Sequence, residues 1–223
     1  TEAIWTRDEA SKIILTDELA VDPAKVRLGG DLAHIALKKI FPNPNVESLS
    51  QSEIGIVYFS GPDINENRKA IRKFVGNFRQ DEKLTFLAND VRKKGFERTA
   101  YRKMFRAWAR LLGNGPTFYS PDYENESIAG LVNHFRQFDV IMACRYHALL
   151  TAAWAGCRVV ALGRSSKIRF LADELGIPLV ETPYTEASLH DGYLNAKKVS
   201  RSLLEAKSHA SEMAVKEFCR SIQ

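Results

Sequence analysis

The sequence lacks several features that would assign it to a specialised class of protein. Its 223 residues contain three cysteines, Cys144, Cys157 and Cys219, an odd number without metal-ligand spacing, so neither a zinc site nor a disulfide framework is indicated. No apolar run approaches the ~18 residues that a membrane span needs. No internal repeat or low-complexity segment stands out. Cysteines beside apolar runs are typical of buried thiols in a reducing compartment, which predicts a cytoplasmic protein.

Composition and charge narrow the functional class only slightly. Hydrophobic residues make up 45% of the sequence and charged residues 26%, which is ordinary for a globular protein. The formal net charge is +5 and the isoelectric point is about 9.1. A mildly basic protein is compatible with anionic substrates, an anionic membrane surface or nucleic acid, and the charge alone selects none of them.

Short apolar runs alternate with helical patterns along most of the chain. We expect six strands, at residues 54–60, 84–88, 117–119, 140–144, 158–162 and 179–180, with helices between them and a helical end from about Leu194. Repeated β-α units predict an α/β fold with a Rossmann-like, doubly wound parallel sheet. Before these units, two short strands at residues 3–6 and 25–28 flank a helix that Asp8 caps. Prolines and polar residues indicate a linker at residues 46–52, which separates residues 1–45 from a second lobe at residues 53–223.

The motif Arg145-Tyr146-His147 stands where a predicted strand gives way to a helix. Ligands of such sheets bind beyond the carboxyl ends of the strands. If the chain is still extended there, Arg145 and His147 point the same way and Tyr146 points away, leaving its backbone N–H near the site. The following helix start adds partial positive charge. The pattern favours a small anion held by Arg145, with His147 placed for proton transfer, although an Arg and a His at a loop can also be plain surface residues.

The next strand-to-helix junction is also basic. It reads Arg164-Ser165-Ser166-Lys167, and two adjacent basic junctions suggest a ligand with both a phosphate and a carboxylate. The alternative is that Ser165 and Ser166 only cap the helix. The other histidines (His34, His134, His190 and His209) belong to no motif, and we interpret them as structural or solvated.

These residues resemble a known family. The stretch from Phe138 to Val180, with its Arg-x-His, small-residue helix and lysine-containing junction, is similar to the carboxyl-terminal half of polysaccharide pyruvyl transferases. The segment "WTRDEASKIIL" resembles their Arg-Asp-x-x-Ser element, and "GGDLA" their Asp-x-Ala element. The order and spacing of the three elements make the resemblance specific. The family's glycine-rich amino-terminal segment is not present before residue 1, so we expect the first lobe to be truncated or reduced.

The resemblance implies a two-lobed fold similar to GT-B glycosyltransferases. It also implies transfer of the enolpyruvyl group of phosphoenolpyruvate onto a sugar of a polysaccharide or its lipid-linked precursor, which forms a pyruvate ketal. Arg7 and Arg145 would bind the donor, the backbone of Tyr146 would add a contact, and His147 would be the general acid. Ser165 and Lys167 would complete the donor site. Phosphoenolpyruvate is then a substrate, and no metal or other cofactor is implied.

Two other functions remain open from the sequence. A GT-B glycosyltransferase using a nucleotide sugar usually offers a carboxylate to the ribose after the phosphate-binding turn, whereas residues 164–167 are all basic or hydroxylated. The other is a non-catalytic anion-binding or nucleic-acid-binding module, which is disfavoured because Tyr101, Phe105 and Trp108 have core-facing helical spacing rather than an exposed platform.

A basic stripe is predicted on the helix at residues 91–112. Its members recur every four residues, so they drift only about 40° around the helix per step: Lys94, Arg98, Arg102, Arg106 and Arg110. The stripe is either a solvated face or a surface that contacts an anionic membrane, which would place the protein at the inner face of the bilayer.

Overall fold

The structure, a computed structural model, describes residues 3–42, 53–58, 64–77, 83–87, 117–119 and 126–221. The chain divides into two compact units, one of residues 1–42 with 200–223 and the other of residues 43–199. The predicted linker at 46–52 and the predicted helix at 91–112 with its basic stripe lie outside the described residues.

The smaller unit, residues 1–42 and 200–223, contains a two-stranded parallel sheet. Its strands are β1 (Ile4–Thr6) and β2 (Val26–Leu28). Helix α1 (Glu9–Ile13) follows β1 and begins as predicted, because the Asp8 carboxylate accepts the backbone N–H of Ser11 at 2.8 Å. A π-helical turn at Ile14–Glu18, helix α2 (Ala33–Ile40) and the long carboxyl-terminal helix α8 (Arg201–Ser221) complete the unit.

Helix α8 differs from the sequence prediction, which assigned residues 53–223 to one lobe. Residues 200–223 group instead with residues 1–42. Side-chain contacts explain the grouping: Ser211 donates to the carbonyl of Asp31 at 3.2 Å, and Lys38 pairs with Glu212 at 3.4 Å. Because these partners are distant in sequence, the pattern of apolar residues in α8 could not identify them.

The larger unit, residues 43–199, is built on one sheet of seven described strands. They are β3 (Glu53–Val57), β4 (Lys83–Leu87), β5 (Thr117–Tyr119), β6 (Val140–Ala143), β7 (Arg158–Leu162), β8 (Leu179–Val180) and β9 (Lys197–Lys198). The spatial order is β5-β4-β3-β6-β7-β8, and all these neighbours are parallel. Counted within the unit this is 3-2-1-4-5-6, the order of a doubly wound dinucleotide-binding sheet. The predicted α/β, Rossmann-like class is confirmed.

Five described helices belong to the larger unit. They are α3 (Ile64–Gly76), α4 (Ile128–Asn133), α5 (Tyr146–Ala155), α6 (Ser166–Leu175) and α7 (Glu186–Leu194). Helix α6 ends at Gly176, whose φ of +63° is in the left-handed region that glycine adopts without steric cost. Helix α5 is buried from Ala148 to Ala155, because its small side chains allow close packing against the sheet.

The core of the larger unit lies on the central strands. All four residues of β6 are buried, as are four of the five residues of β7. Such continuous apolar strands are typical of a parallel sheet covered on both faces. The sequence prediction is wrong at the end of this unit, where residues from about Leu194 were expected to be helical. There β9 pairs antiparallel with β7 before α8 begins at Arg201.

Candidate functional site

The strand order places a topological switch point between β3 and β6. The chain runs outward in opposite directions from these two neighbours, whose register pairs Ile54 with Val140 and Val57 with Ala143. In open α/β sheets, ligands bind outside the carboxyl ends of the strands at such a point. The segment that leaves β6, beginning with Cys144 and Arg145, therefore stands at the position where this fold usually binds its ligand.

Arg145 occupies the N-cap position of α5. Its backbone is extended, with φ −118° and ψ 129°, and its side chain makes no capping hydrogen bond. The backbone around it is fixed on both sides, since Cys144 donates to the carbonyl of Val57 at 2.9 Å and Leu149 donates to the carbonyl of Arg145 at 3.1 Å. The Arg145 side chain is half-buried, with its Nε atom inside the protein.

His147 lies in the first turn of α5, which corrects one expectation. The chain is extended at Arg145 but helical from Tyr146 onward, so Arg145 and His147 are not alternate residues of a strand. The reason is the helix start itself: helical dihedrals begin one residue after the arginine. His147 is exposed, and its ring forms a T-shaped pair with the Tyr146 ring, with centroids 5.4 Å apart. The imidazole is thus accessible at the carboxyl edge of the sheet.

The second basic junction lies beside the first. Strands β6 and β7 are neighbours with Ala143 opposite Ala161, so the segments that follow them emerge side by side. Arg164 is half-buried, whereas Ser165 and Lys167 are exposed. Ser165 has the N-cap backbone of α6, with φ −146° and ψ 158°, but its side chain makes no capping hydrogen bond. The expectation that the serines cap this helix is therefore wrong for Ser165.

Helices α5 and α6, which follow the two basic junctions, differ from α4 and α7 in how their first turns are capped. Ser127 caps α4 by accepting the Gly130 N–H at 3.0 Å, and Thr185 caps α7 by accepting the Ser188 N–H at 3.0 Å. The N-cap side chains of α5 and α6 do not bond the first-turn N–H groups. A helix start of this kind presents N–H donors and partial positive charge to an anion. Together with Arg145, Arg164 and Lys167, this edge has the chemistry of an anion-binding site.

Arg7, the remaining predicted site residue, belongs to the smaller unit. It directly follows β1, and its Nε lies 3.0 Å from an Asp8 carboxylate oxygen and 3.8 Å from one of Asp31. Burial alone would raise the pKa of Asp8, but hydrogen bonds from Ser11 and Arg7 outweigh it and lower the pKa below 3.8. Arg7 also lines a cavity of about 490 Å³ within this unit. Its other lining residues include Trp5, Thr6, Asp31, Leu32 and Phe218.

Sequence reasoning missed the residues beneath the two junctions. Tyr58 and Tyr184 are both buried, with ring centroids 6.4 Å apart, and the Tyr184 hydroxyl donates to the carbonyl of Gly163 at 3.3 Å. Their positions in the sequence could have identified them, because Tyr58 directly follows β3 and Tyr184 lies in the loop after β8. Residues there approach the carboxyl edge, where ligands bind.

No helix in the described part of the chain is long and apolar enough to cross a membrane. Within the same residues, no group of three or more His, Cys, Asp or Glu side chains is arranged to hold a metal ion.

Comparison with solved structures agrees with the fold. The chain is similar to a UDP-GlcNAc 2-epimerase from Methanocaldococcus jannaschii, with 12% identity, a TM-score of 0.66, and coverage of 99% of this chain and 61% of the epimerase. It is also similar to a glycosyltransferase from Rickettsia africae, with 10% identity, a TM-score of 0.60, and coverage of 98% and 62%. An Anabaena protein in complex with UDP matches with 13% identity, a TM-score of 0.54, and coverage of 97% and 59%.

These neighbours have the GT-B fold, so the predicted GT-B-like class is confirmed. The chain spans about three fifths of the length of these relatives. At such low identities the likeness concerns the fold alone.

Comparison of sequences identifies the family. No curated protein matches the chain. The sequence model of one family, described as polysaccharide pyruvyl transferase, matches residues 1–166. The matched region includes Arg7, Asp31, the Arg145-Tyr146-His147 motif and Ser165, and ends one residue before Lys167. The chain therefore belongs to the polysaccharide pyruvyl transferase family.

Proposed function

We propose that the protein transfers the enolpyruvyl group of phosphoenolpyruvate to a sugar of a polysaccharide or its lipid-linked precursor, forming a pyruvate ketal. One observation carries the proposal: two adjacent basic junctions, at Arg145 and at Arg164–Lys167, stand at the carboxyl ends of neighbouring strands. Membership of the family supports the same reaction. A donor that carries both a phosphate and a carboxylate suits two such junctions better than a singly charged anion does.

In the proposed site the donor anion lies against the starts of α5 and α6. The Arg145 guanidinium makes bidentate hydrogen bonds to the oxygens of one anionic group, a geometry that lysine cannot reproduce. The backbone near Tyr146, together with Ser165 and Lys167, contacts the other. These groups offset the charge of the donor, and they neutralise the phosphate as it leaves. The proposed reaction requires no added cofactor, because the enol double bond of phosphoenolpyruvate can itself accept a proton and its phosphate is the leaving group.

His147 acts as the general acid. It donates a proton to the methylene carbon of phosphoenolpyruvate, which becomes the methyl group, and the adjacent carbon gains oxocarbenium character. One sugar hydroxyl attacks that carbon, the carbon–phosphate oxygen bond breaks, and a second hydroxyl forms the other ketal bond. Of the two hydroxyl protons, one restores His147 and one leaves with phosphate. The exposed first-turn position of His147 allows it to reach a bound donor.

Arg7 is proposed as a further donor-binding residue on the basis of its motif. Its guanidinium already lies beside Asp8 and Asp31, and these carboxylates hold it in one orientation. Such orientation reduces the entropy lost when an arginine binds a ligand. We expect Arg7→Lys to weaken phosphoenolpyruvate binding in calorimetry, and an unchanged dissociation constant would remove Arg7 from the donor site.

A lipid-linked acceptor would bring the enzyme to a membrane surface. The basic stripe that the sequence predicts from Lys94 to Arg110 would then contact anionic lipid, each cation contributing about 1 kcal/mol at low salt. Sedimentation with anionic and neutral vesicles tests this contact. Binding that is equal for both vesicle types, or that survives high salt, would contradict it.

Transfer from a nucleotide sugar is the second candidate function. The observation in its favour is the fold, which is shared with an epimerase crystallised with UDP-GlcNAc and UDP. Calorimetry with phosphoenolpyruvate and with UDP-GlcNAc separates the two, because each donor has its own anionic groups and only one should bind tightly.

The matched test of the donor site compares Arg145→Lys with Arg72→Lys, which changes an exposed arginine on α3. Arg145→Lys removes the bidentate hydrogen bonding of the guanidinium. It should weaken phosphoenolpyruvate binding by about tenfold or more, the effect of one charge-assisted hydrogen bond. Arg72→Lys should leave the dissociation constant unchanged. Equal affinities of both variants and the natural protein would exclude Arg145 from the donor site.

A further inference from the structure

A buried tyrosine lies beneath the two basic junctions. Tyr184 stands in the loop between β8 and α7 and is only 3% exposed. Its ring meets Tyr58, at the end of β3, edge to face. A buried tyrosine hydroxyl usually finds a hydrogen-bond partner, since leaving it without one costs free energy. The choice of partner therefore indicates what the residue does.

The loop that carries Tyr184 is anchored by a buried asparagine from α3. Asn67, 6% exposed, accepts the backbone N–H of Tyr184 at 2.8 Å through Oδ1 and donates to the Thr182 hydroxyl at 3.1 Å through Nδ2. One side chain thus bonds the loop at two points. Because burying an amide is unfavourable without such bonds, the arrangement fixes the loop in one position.

The partner of the Tyr184 hydroxyl is the carbonyl of Gly163, the residue before Arg164, at 3.3 Å. The N–H of Gly163 donates to the carbonyl of Val180 at 2.7 Å. Both backbone polar groups of Gly163 are therefore bonded to β8 or its loop. The approach is close enough that a Cβ on residue 163 would lie 2.7 Å from a Glu181 carboxylate oxygen and 3.2 Å from the Val180 carbonyl.

The Tyr184 hydroxyl is also close enough to Arg164 to interact with its charge. Burial raises the pKa of Tyr184, the neighbouring Cys144 thiol raises it further, and the positive charge of Arg164 opposes the shift. Cys144 directly follows β6 and Gly163 directly follows β7, so the surroundings of Tyr184 include residues from the ends of both strands. The raised pKa keeps the hydroxyl protonated, and it remains a donor throughout the physiological pH range.

We propose that Tyr184 is a positioning residue for the donor site: by holding the Gly163 carbonyl, it fixes where the chain leaves β7 and so orients Arg164 and the start of α6 toward the donor's anionic groups. This inference rests on the proposed function. Tyr184 itself contacts no donor atom, and its effect passes through the backbone of Gly163.

The test compares Tyr184→Phe with Tyr193→Phe in the full-length protein. Each change removes one hydroxyl from the larger unit, but Tyr193 lies near Arg158 at the amino end of β7, away from the junctions. Three measurements are made on each variant: the melting temperature, the dissociation constant for phosphoenolpyruvate by calorimetry, and hydrogen exchange of a peptide that covers residues 163–168.

Tyr184→Phe should speed exchange in that peptide and weaken phosphoenolpyruvate binding about three- to tenfold, the effect of one hydrogen bond. Tyr193→Phe should do neither. A lower melting temperature with unchanged affinity would reduce Tyr184 to a structural residue and overturn the proposal, as would equal weakening by both variants. If the natural protein binds no phosphoenolpyruvate, the proposed function fails instead, and the exchange data still show whether the hydroxyl holds the junction.

Discussion

At the residue scale, the proposed chemistry depends on the short segment between β6 and α5. Arg145 retains the extended backbone of a strand end, while His147 already lies in a helical turn. The arginine is half-buried, whereas the imidazole is exposed. This difference in burial suits the two roles proposed for residues that are only two positions apart.

His147→Ala should lower kcat by roughly two to four orders of magnitude, the usual contribution of a general acid. Phosphoenolpyruvate binding should change far less, because the arginines remain. His190→Ala, which removes another exposed histidine from α7, is the matched control and should leave kcat unchanged. A near-normal kcat for His147→Ala would show that another group donates the proton.

His134 provides a prediction about stability and pH. The ring stacks on Tyr119 with centroids 3.6 Å apart, and burial lowers the pKa of His134 below its ordinary 6.5, although Glu126 opposes the shift. A lowered folded-state pKa favours the neutral ring, so the stabilisation is complete above pH 6.5 and is lost as the pH falls from there through the folded-state pKa.

Denaturant titrations above and below pH 6.5 measure this effect. The free energy of unfolding should decrease on acidification more steeply in the natural protein than in His134→Gln. His209→Gln, at an exposed position on α8, should retain the full dependence. Identical slopes for all three proteins would mean that His134 does not titrate differently on folding.

At the element scale, the sequence predicted the parts of the sheet that have the clearest apolar runs. The strand at residues 158–162 has the predicted bounds, and β6 ends one residue early because Cys144 already begins the turn. Strand β9 was missed because Lys197 and Lys198 are both exposed and charged, so its pairing with β7 leaves no apolar pattern. The sequence did not predict helix α7 for two reasons. Its capping box, Thr185-x-x-Ser188, has a serine in place of the usual Glu, and Gly192 is a poor helix former.

Helix ends provide a test of local backbone geometry. Gly176 has a φ of +63° and open space where a Cβ would lie, so Gly176→Ala introduces backbone strain without a clash. It should lower the free energy of unfolding by about 1 kcal/mol. Gly76, at the end of α3, has equally open space and lies outside the left-handed region. Gly76→Ala should therefore be neutral or stabilising by up to about 1 kcal/mol. Equal effects of the two changes in denaturant titrations would contradict the assigned dihedral angles.

At the scale of the whole molecule, fold and family were predictable for different reasons. The doubly wound class follows from the alternation of elements, whereas the family follows from three short motifs separated by long stretches. The contacts of Tyr184 and Asn67 could not be predicted, because their hydrogen bonds join residues as far apart as α3 and the loop after β8. The grouping of α8 with residues 1–42 depends on equally distant contacts.

The most direct test of the central claim is the reaction itself. Full-length protein is incubated with phosphoenolpyruvate and a panel of acceptor glycans, and phosphate release and the product mass are recorded together. We predict phosphate release that depends on the acceptor, with a glycan that has gained one pyruvate ketal. Turnover of a nucleotide sugar in place of phosphoenolpyruvate, or release of phosphate without a modified glycan, would contradict the assignment.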